Sequence, residues 1–171
     1  MAKRALIIIA QNGYQDLELK GTRDGLMAAG FTIVLASKEA GVCTGKLGGT
    51  EESAVALRDV NTADYDRVAF IGGPGARELT DDSEAHRVAH AVVEAGKPLG
   101  AICIAPTILA SAGILNGKKA TVWNEDSYQS GYLESLGAFY VDQPVVIDGI
   151  IITADGPDSA EEFGTSFATM S

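Results

Sequence analysis

The sequence predicts an α/β protein, with a mostly parallel sheet and helices on both faces. Three observations predict it. Short, continuous apolar runs rich in branched residues read as buried strands, and they alternate with longer runs that read as helices. Glycines close several of the helical runs. No linker, repeat or low-complexity segment interrupts the order, so residues 1–171 read as one domain.

The elements follow in order. Residues 4–11, RALIIIAQ, form a first buried strand, and 16–30 a helix closed by Gly30. Residues 31–37, FTIVLAS, are the next strand, and the glycine-rich 41–53 a loop or hairpin. Residues 66–76 give a strand running into a Gly-Pro loop; 81–97 give a helix with an acidic first turn, closed by Gly96. A strand over 98–104 passes directly into a helix over 105–113. Residues 118–124 are expected as a strand, with a helix near 125–136. Residues 145–155 hold two strands around an Asp-Gly turn, and 159–170 a final helix.

Composition excludes several classes of function. Hydrophobic residues make up 46% of the chain, which is a globular composition. No apolar run approaches the ~20 residues of a membrane span. The first apolar run is shorter than the roughly 7–15 residues of a signal-peptide core, so a cytoplasmic protein is expected. The net charge is −10 with no basic patch, which argues against nucleic acid and anionic membranes as partners. Cys43 and Cys103 stand 60 apart, which is no metal-binding spacing.

Function in such sheets collects at the carboxyl ends of strands. Cys103 falls there, at a strand-to-helix junction. It is either a small packed residue or a nucleophile lifted out of the core, its thiolate favoured by the helix dipole and free N–H groups. In FIGGPGARE (70–78), Gly72 and Gly73 are either a tight turn or the donors of half an oxyanion hole. Ile104 N–H would supply the other half. Asp16 and Glu18 are either charges favoured at a helix start or partners for the thiol proton. His86 and His90 share a helix face but have no third ligand, and neither lies at a strand end. A histidine base for the cysteine is therefore missing, and no metal or cofactor is expected.

These segments together resemble the ThiJ/PfpI superfamily over nearly the whole chain. IIIAQNGYQDLEL resembles the family's opening strand and acidic loop. GVCTGKLG, VAFIGGPGA and IITADGPDSAEEF resemble its later segments. GKPLGAICIAPTILASAGILNGKKAT matches the elbow and following helix closely. The resemblance implies a flavodoxin-like three-layer sandwich, related to class I glutamine amidotransferases. It implies Cys103 as nucleophile, Glu18 as acidic partner, and the Gly73 and Ile104 backbones as oxyanion donors. Pocket positions would include Gly72, Trp123, Asp155 and Pro157. A homodimer, or an assembly of dimers, is implied, with the site near the subunit interface.

The chain also departs from the family pattern. Peptidase members carry His directly after the cysteine, where this chain has Ile104. Another branch draws a His from the next strand, where Trp123 stands, and an Arg near the closing Gly-Pro, where Asp155 stands. Peptidase activity and anionic substrates are therefore disfavoured. The expected function is cofactor-free chemistry on a small electrophilic carbonyl, of glyoxalase III or deglycase type, converting methylglyoxal to lactate. The alternatives are a redox sensor or stress-protective protein using an oxidisable Cys103, and a hydratase of small electrophiles such as isocyanides.

Overall fold

The computed structural model describes residues 2–171. The strands are β1 (Lys3–Ile8), β2 (Asn12–Tyr14), β3 (Phe31–Ser37), β4 (Gly41–Gly45), β5 (Thr50–Ser53), β6 (Val55–Ala56), β7 (Arg67–Phe70), β8 (Leu99–Ile102), β9 (Lys119–Ala120), β10 (Phe139–Tyr140), β11 (Val145–Asp148) and β12 (Ile151–Ala154). The α-helices are α1 (Asp16–Ala28), α2 (Ser83–Glu94), α3 (Pro106–Ser111), α4 (Gln129–Ser135) and α5 (Ala160–Thr169).

Seven strands form the central sheet in the order β11-β12-β8-β7-β1-β3-β6. All neighbours are parallel except β11 and β12, which form an antiparallel edge hairpin. The chain runs from β1 outward to β3 and β6, then returns to β7 on the other side of β1. The order reverses there, and the loops after β1 and β7 part to leave a crevice.

Strand β1 is apolar at successive positions because both of its faces are covered. Leu6 and Ile8 pack with Val88 and Val92 of α2 and with Ile108 of α3. Ile7 and Ile9 pack with Leu19 and Leu26 of α1 and with Phe163 and Phe167 of α5. The result is a flavodoxin-like three-layer sandwich. Helices α1 and α5 approach through glycine: a Cβ on Gly25 would lie 2.4 Å from the Gly164 carbonyl carbon, and one on Gly164 2.1 Å from the Gly21 oxygen. Both clashes are with backbone, so the helix spacing depends on the missing side chains.

Two expectations need correction. Residues 118–124 do not add a strand to the central sheet; only Lys119–Ala120 is a strand, paired with β10 in a separate ribbon. Beyond it, Thr121 N–H donates to Thr153 Oγ1 (2.9 Å) and Trp123 N–H to the Cys103 carbonyl (2.8 Å), so these donors do not run along one ladder. The helix expected near 125–136 begins only at Gln129. Asp126 Oδ1 takes the Tyr128 N–H and Asn124 Oδ1 the Ser130 N–H (both 3.0 Å), holding the segment before it in a turn.

Candidate active site

The loops leaving β1, β7, β8 and β12 meet around Cys103. Its backbone sits at φ +66°, a left-handed conformation that non-glycine residues rarely adopt. Two hydrogen bonds hold it there: its N–H donates to the Ala154 carbonyl (2.9 Å), and its carbonyl accepts from Trp123 N–H (2.8 Å). Strain fixed in this way marks a residue whose side chain is being aimed. Cys103 is 9% exposed, at the floor of a cleft of about 280 Å³.

Glu18 occupies the first turn of α1 on its inward stripe, with Leu19, Thr22 and Leu26, and is wholly buried. The start of α1 is stitched to the end of β7: Gln15 N–H donates to the Gly72 carbonyl, and Gly72 N–H donates to Glu18 Oε1, both at 2.9 Å. Gly72 separates the carboxyl from the thiol. A Cβ there would lie 2.6 Å from Cys103 Cβ and 2.7 Å from Glu18 Oε1. The second oxygen, Glu18 Oε2, is buried with no hydrogen-bond partner of ordinary geometry. After burial itself, the Cys103 thiol is the strongest influence on this carboxyl's ionisation.

Both acids are harder to ionise than in water. Burial pushes the Glu18 carboxyl up to about 8, against the opposing pull of Cys103, the Gly72 N–H and Lys46. Burial, and then the Glu18 charge, push the Cys103 thiol above its ordinary value. The backbone N–H groups of Gly73 and Ile104 pull it the other way. At neutral pH Glu18 keeps its proton, so its share of the push on the sulfur is absent. The pair therefore gives up its first proton as a unit.

Gly73, Ile104, Trp123 and Pro157 line the cleft with Cys103. Gly72 lies between Cys103 and Glu18 and does not line the cleft. Asp155 is also outside: it lines an adjoining groove and accepts the Ser159 hydroxyl (2.5 Å). Asp16 is drawn into the turn after β4, where it accepts backbone N–H groups of Leu47 and Gly49. His86 bonds the Thr80 carbonyl on α2's side of the sheet, and His90 is exposed. Among the described residues, no group of three or more His, Cys, Asp or Glu is placed to hold a metal ion.

Sequence reasoning missed Lys46, Arg77, Gln15 and Glu125, which complete the cleft wall. Lys46 and Arg77 stand inside glycine-rich stretches already marked as loops. What the sequence alone does not display is that the β4–β5 turn folds back over the start of α1. Their presence also removes the ground for disfavouring anions, which was the carboxylate of Asp155.

The DJ-1/PfpI family model matches residues 3–170. A deglycase of Thermococcus kodakarensis is 30% identical over 89% of this chain and 90% of its own length. A glutathione-independent glyoxalase of Caenorhabditis elegans is 30% identical over 94% of this chain and 84% of its own length. The crystal structure of a ThiJ/PfpI domain protein from Brachyspira murdochii superposes with a TM-score of 0.92 at 27% identity, covering 96% of this chain and 94% of that one. A strand-to-helix cysteine in a left-handed conformation, facing a buried glutamate at the crevice of a doubly wound sheet, is thus found in a chain matched from one end to the other by a single family, and the protein belongs to the DJ-1/PfpI family.

Proposed function

We propose that this protein is a cofactor-independent enzyme that uses Cys103 to convert small α-oxoaldehydes to hydroxy acids. The observation that carries this reading is a left-handed Cys103 at the floor of a cleft lined by Gly73 and Ile104, with the wholly buried Glu18 carboxyl just across Gly72. The names of the Thermococcus and Caenorhabditis relatives, deglycase and glyoxalase, agree with it.

The steps use only these groups. The pair loses its first proton mainly from Glu18, and the reactive species is the minor tautomer in which the charge rests on Sγ and the proton on Glu18. Sγ adds to the aldehyde carbon, forming the S–C bond, and the carbonyl π pair moves to oxygen. Gly73 and Ile104 N–H groups receive that oxyanion. Glu18 then protonates it, giving a hemithioacetal and leaving a carboxylate. The carboxylate takes the former aldehyde hydrogen as a proton, the C–H electron pair forms a C=C bond, and the ketone π pair moves to its oxygen, giving an enediolate. Returning the proton to the former ketone carbon, while the hydroxyl proton passes from the first oxygen to the second, completes an internal redox exchange: the aldehyde carbon is now a thioester and the ketone carbon a carbinol. Water adds to the thioester carbon and the C–S bond breaks, releasing the hydroxy acid and regenerating the Cys103 thiol. Methylglyoxal plus water gives lactate, with no external oxidant or reductant.

The test is lactate formation from methylglyoxal without added thiol, wild type against Cys103→Ser. Turnover should vanish in the variant, and in the wild type it should rise with pH to a plateau with a midpoint near 8, where the pair loses its first proton. Equal turnover by Cys103→Ser, or none by the wild type, overturns the proposal.

A further inference from the structure

We infer that the cleft over Cys103 is built for a carbonyl compound carrying a carboxylate, with Lys46 and Arg77 as its anchors and Asp16 as the residue that positions Lys46. The inference deepens the oxoaldehyde reading and rests on it for the reaction, but not for the binding.

Lys46 is presented by a turn with little freedom. Its N–H donates to the Tyr14 carbonyl (2.8 Å), and Gly45 N–H closes the turn on the Gly49 carbonyl (2.7 Å). Asp16 clamps the same turn from α1, taking Leu47 N–H on Oδ2 (2.8 Å) and Gly49 N–H on Oδ1 (2.9 Å). The turn is moulded to that carboxylate: a Cβ on Gly45 or on Gly49 would lie 2.2 or 2.4 Å from Asp16 Oδ1. The ammonium so placed acts on the buried pair, since Lys46 pulls the Glu18 carboxyl down.

Arg77 faces the same cleft from the 3-10 segment Pro74–Leu79 that follows β7. Among the described residues neither Lys46 nor Arg77 forms an ion pair, although Arg77 adds to the Tyr128 and Gln129 hydrogen bonds that hold the nearby Asp126 carboxyl down. Gln15 commits its Oε1 to the Leu17 N–H (2.7 Å), so its amide nitrogen is what remains for the cleft. The carboxylate on the wall, Glu125, is engaged by the Trp123 indole N–H (2.6 Å). The rim is therefore rich in donors and locally cationic on a chain of net charge −10. Beyond Trp123 the adjoining groove holds Asp142, Asp155, Asp158 and Glu162, which repel an anion. A substrate's negative end is directed to the Lys46–Arg77 side, where the guanidinium fork matches a carboxylate.

The test compares two alkylating probes of similar size at Cys103. Iodoacetate carries a carboxylate and iodoacetamide does not; with each, sulfur displaces iodide. Rates at Cys103 are followed by peptide mass in the intact folded protein. The ratio of the two rates cancels the thiolate fraction, so changes in thiol pKa drop out. Lys46→Met and Arg77→Met should each lower the iodoacetate-to-iodoacetamide ratio about threefold, and the double variant roughly tenfold, with the differences shrinking in high salt. Asp16→Ala should lower the ratio about as far as Lys46→Met, and should lower it no further when Lys46 is already Met. Asp16→Asn, which keeps an acceptor, should recover part of the loss. A ratio unchanged between the wild type and the double variant overturns the anchors. A ratio unchanged in Asp16→Ala, with native circular dichroism, overturns the positioning role. A fall in the ratio from a protein that turns over no oxoaldehyde would sink the reaction and leave the anchors standing. With turnover, the kcat/KM preference for 4,5-dioxopentanoate over methylglyoxal should fall with the alkylation ratio.

Discussion

A buried carboxyl that keeps its proton to about 8 makes folding itself depend on pH, and Glu18 provides the means to measure it. In the unfolded chain the same group ionises at its ordinary value of 4.5. Between these two values the unfolded state binds fewer protons than the folded state, so raising the pH favours unfolding. The contribution of Glu18 is fully present below 4.5 and is lost as pH rises through about 8. At about 1.4 kcal/mol per tenfold change in proton binding, the loss is roughly 3 kcal/mol by pH 7 and about 5 kcal/mol above pH 8. Glu18→Gln removes this titration while leaving an oxygen for the Gly72 N–H and a donor for the sulfur. The assay is urea unfolding of both proteins, at fixed protein concentration, between pH 4.5 and pH 9. Other carboxylates contribute equally to both curves, so the difference isolates Glu18. Wild-type stability should fall against the variant by several kcal/mol as pH rises. A difference that stays level, or that moves in favour of the wild type, refutes the buried, protonated carboxyl and with it the proton shuttle built on it.

Three further outcomes follow from the same geometry. Gly25→Ala places a methyl 2.4 Å from backbone of α5, where nothing soft can yield, and should cost about 3 kcal/mol in chemical denaturation with the sheet retained. Iodoacetamide alkylation of Cys103 against pH should show a lower thiol pKa in Glu18→Leu, because the wild-type carboxyl is already ionised beside the sulfur where the thiol titrates; a higher pKa in Glu18→Leu would mean that Glu18 still holds its proton there and donates it to the thiolate. Ile104 supplies an N–H but no base, so an unfolded protein substrate should survive high enzyme concentrations uncut, and cleavage lost in Cys103→Ser would contradict this.

The fold was legible where one segment buries enough apolar surface to declare itself. β1, β3 and α1 fall within a few residues of their expected limits, because continuous runs such as LIII need cover on both faces and Gly30 stops α1 at φ +90°. Residues 118–128 were misread for a physical reason. Their polar side chains take backbone donors locally, through Asn124 and Asp126, and a period count does not see such side-chain-to-backbone bonds. The short strands β2, β6 and β10 carry too few residues for any period to show.

The site divides along the same line. Cys103 and the glycines after β7 sit where a strand ends, and strand ends can be read from a sequence. Glu18 was readable only as a carboxylate near such an end. Its burial depends on which way α1 faces, and that is settled by Leu19, Thr22 and Leu26 together with the Gly21–Gly164 contact. The helix spacing and the chemistry are therefore linked. The same close approach of α1 to α5 fixes the helix whose first turn carries Glu18 behind Gly72. A methyl on Gly25 that pushed α1 outward would also draw the carboxyl away from the sulfur. The Gly25→Ala variant should consequently lose part of the pH-dependent stability difference assigned to Glu18, although the substitution lies two helical turns from the cleft. A variant that is destabilised but titrates like the wild type would show instead that Glu18 is held by the Gly72 N–H alone.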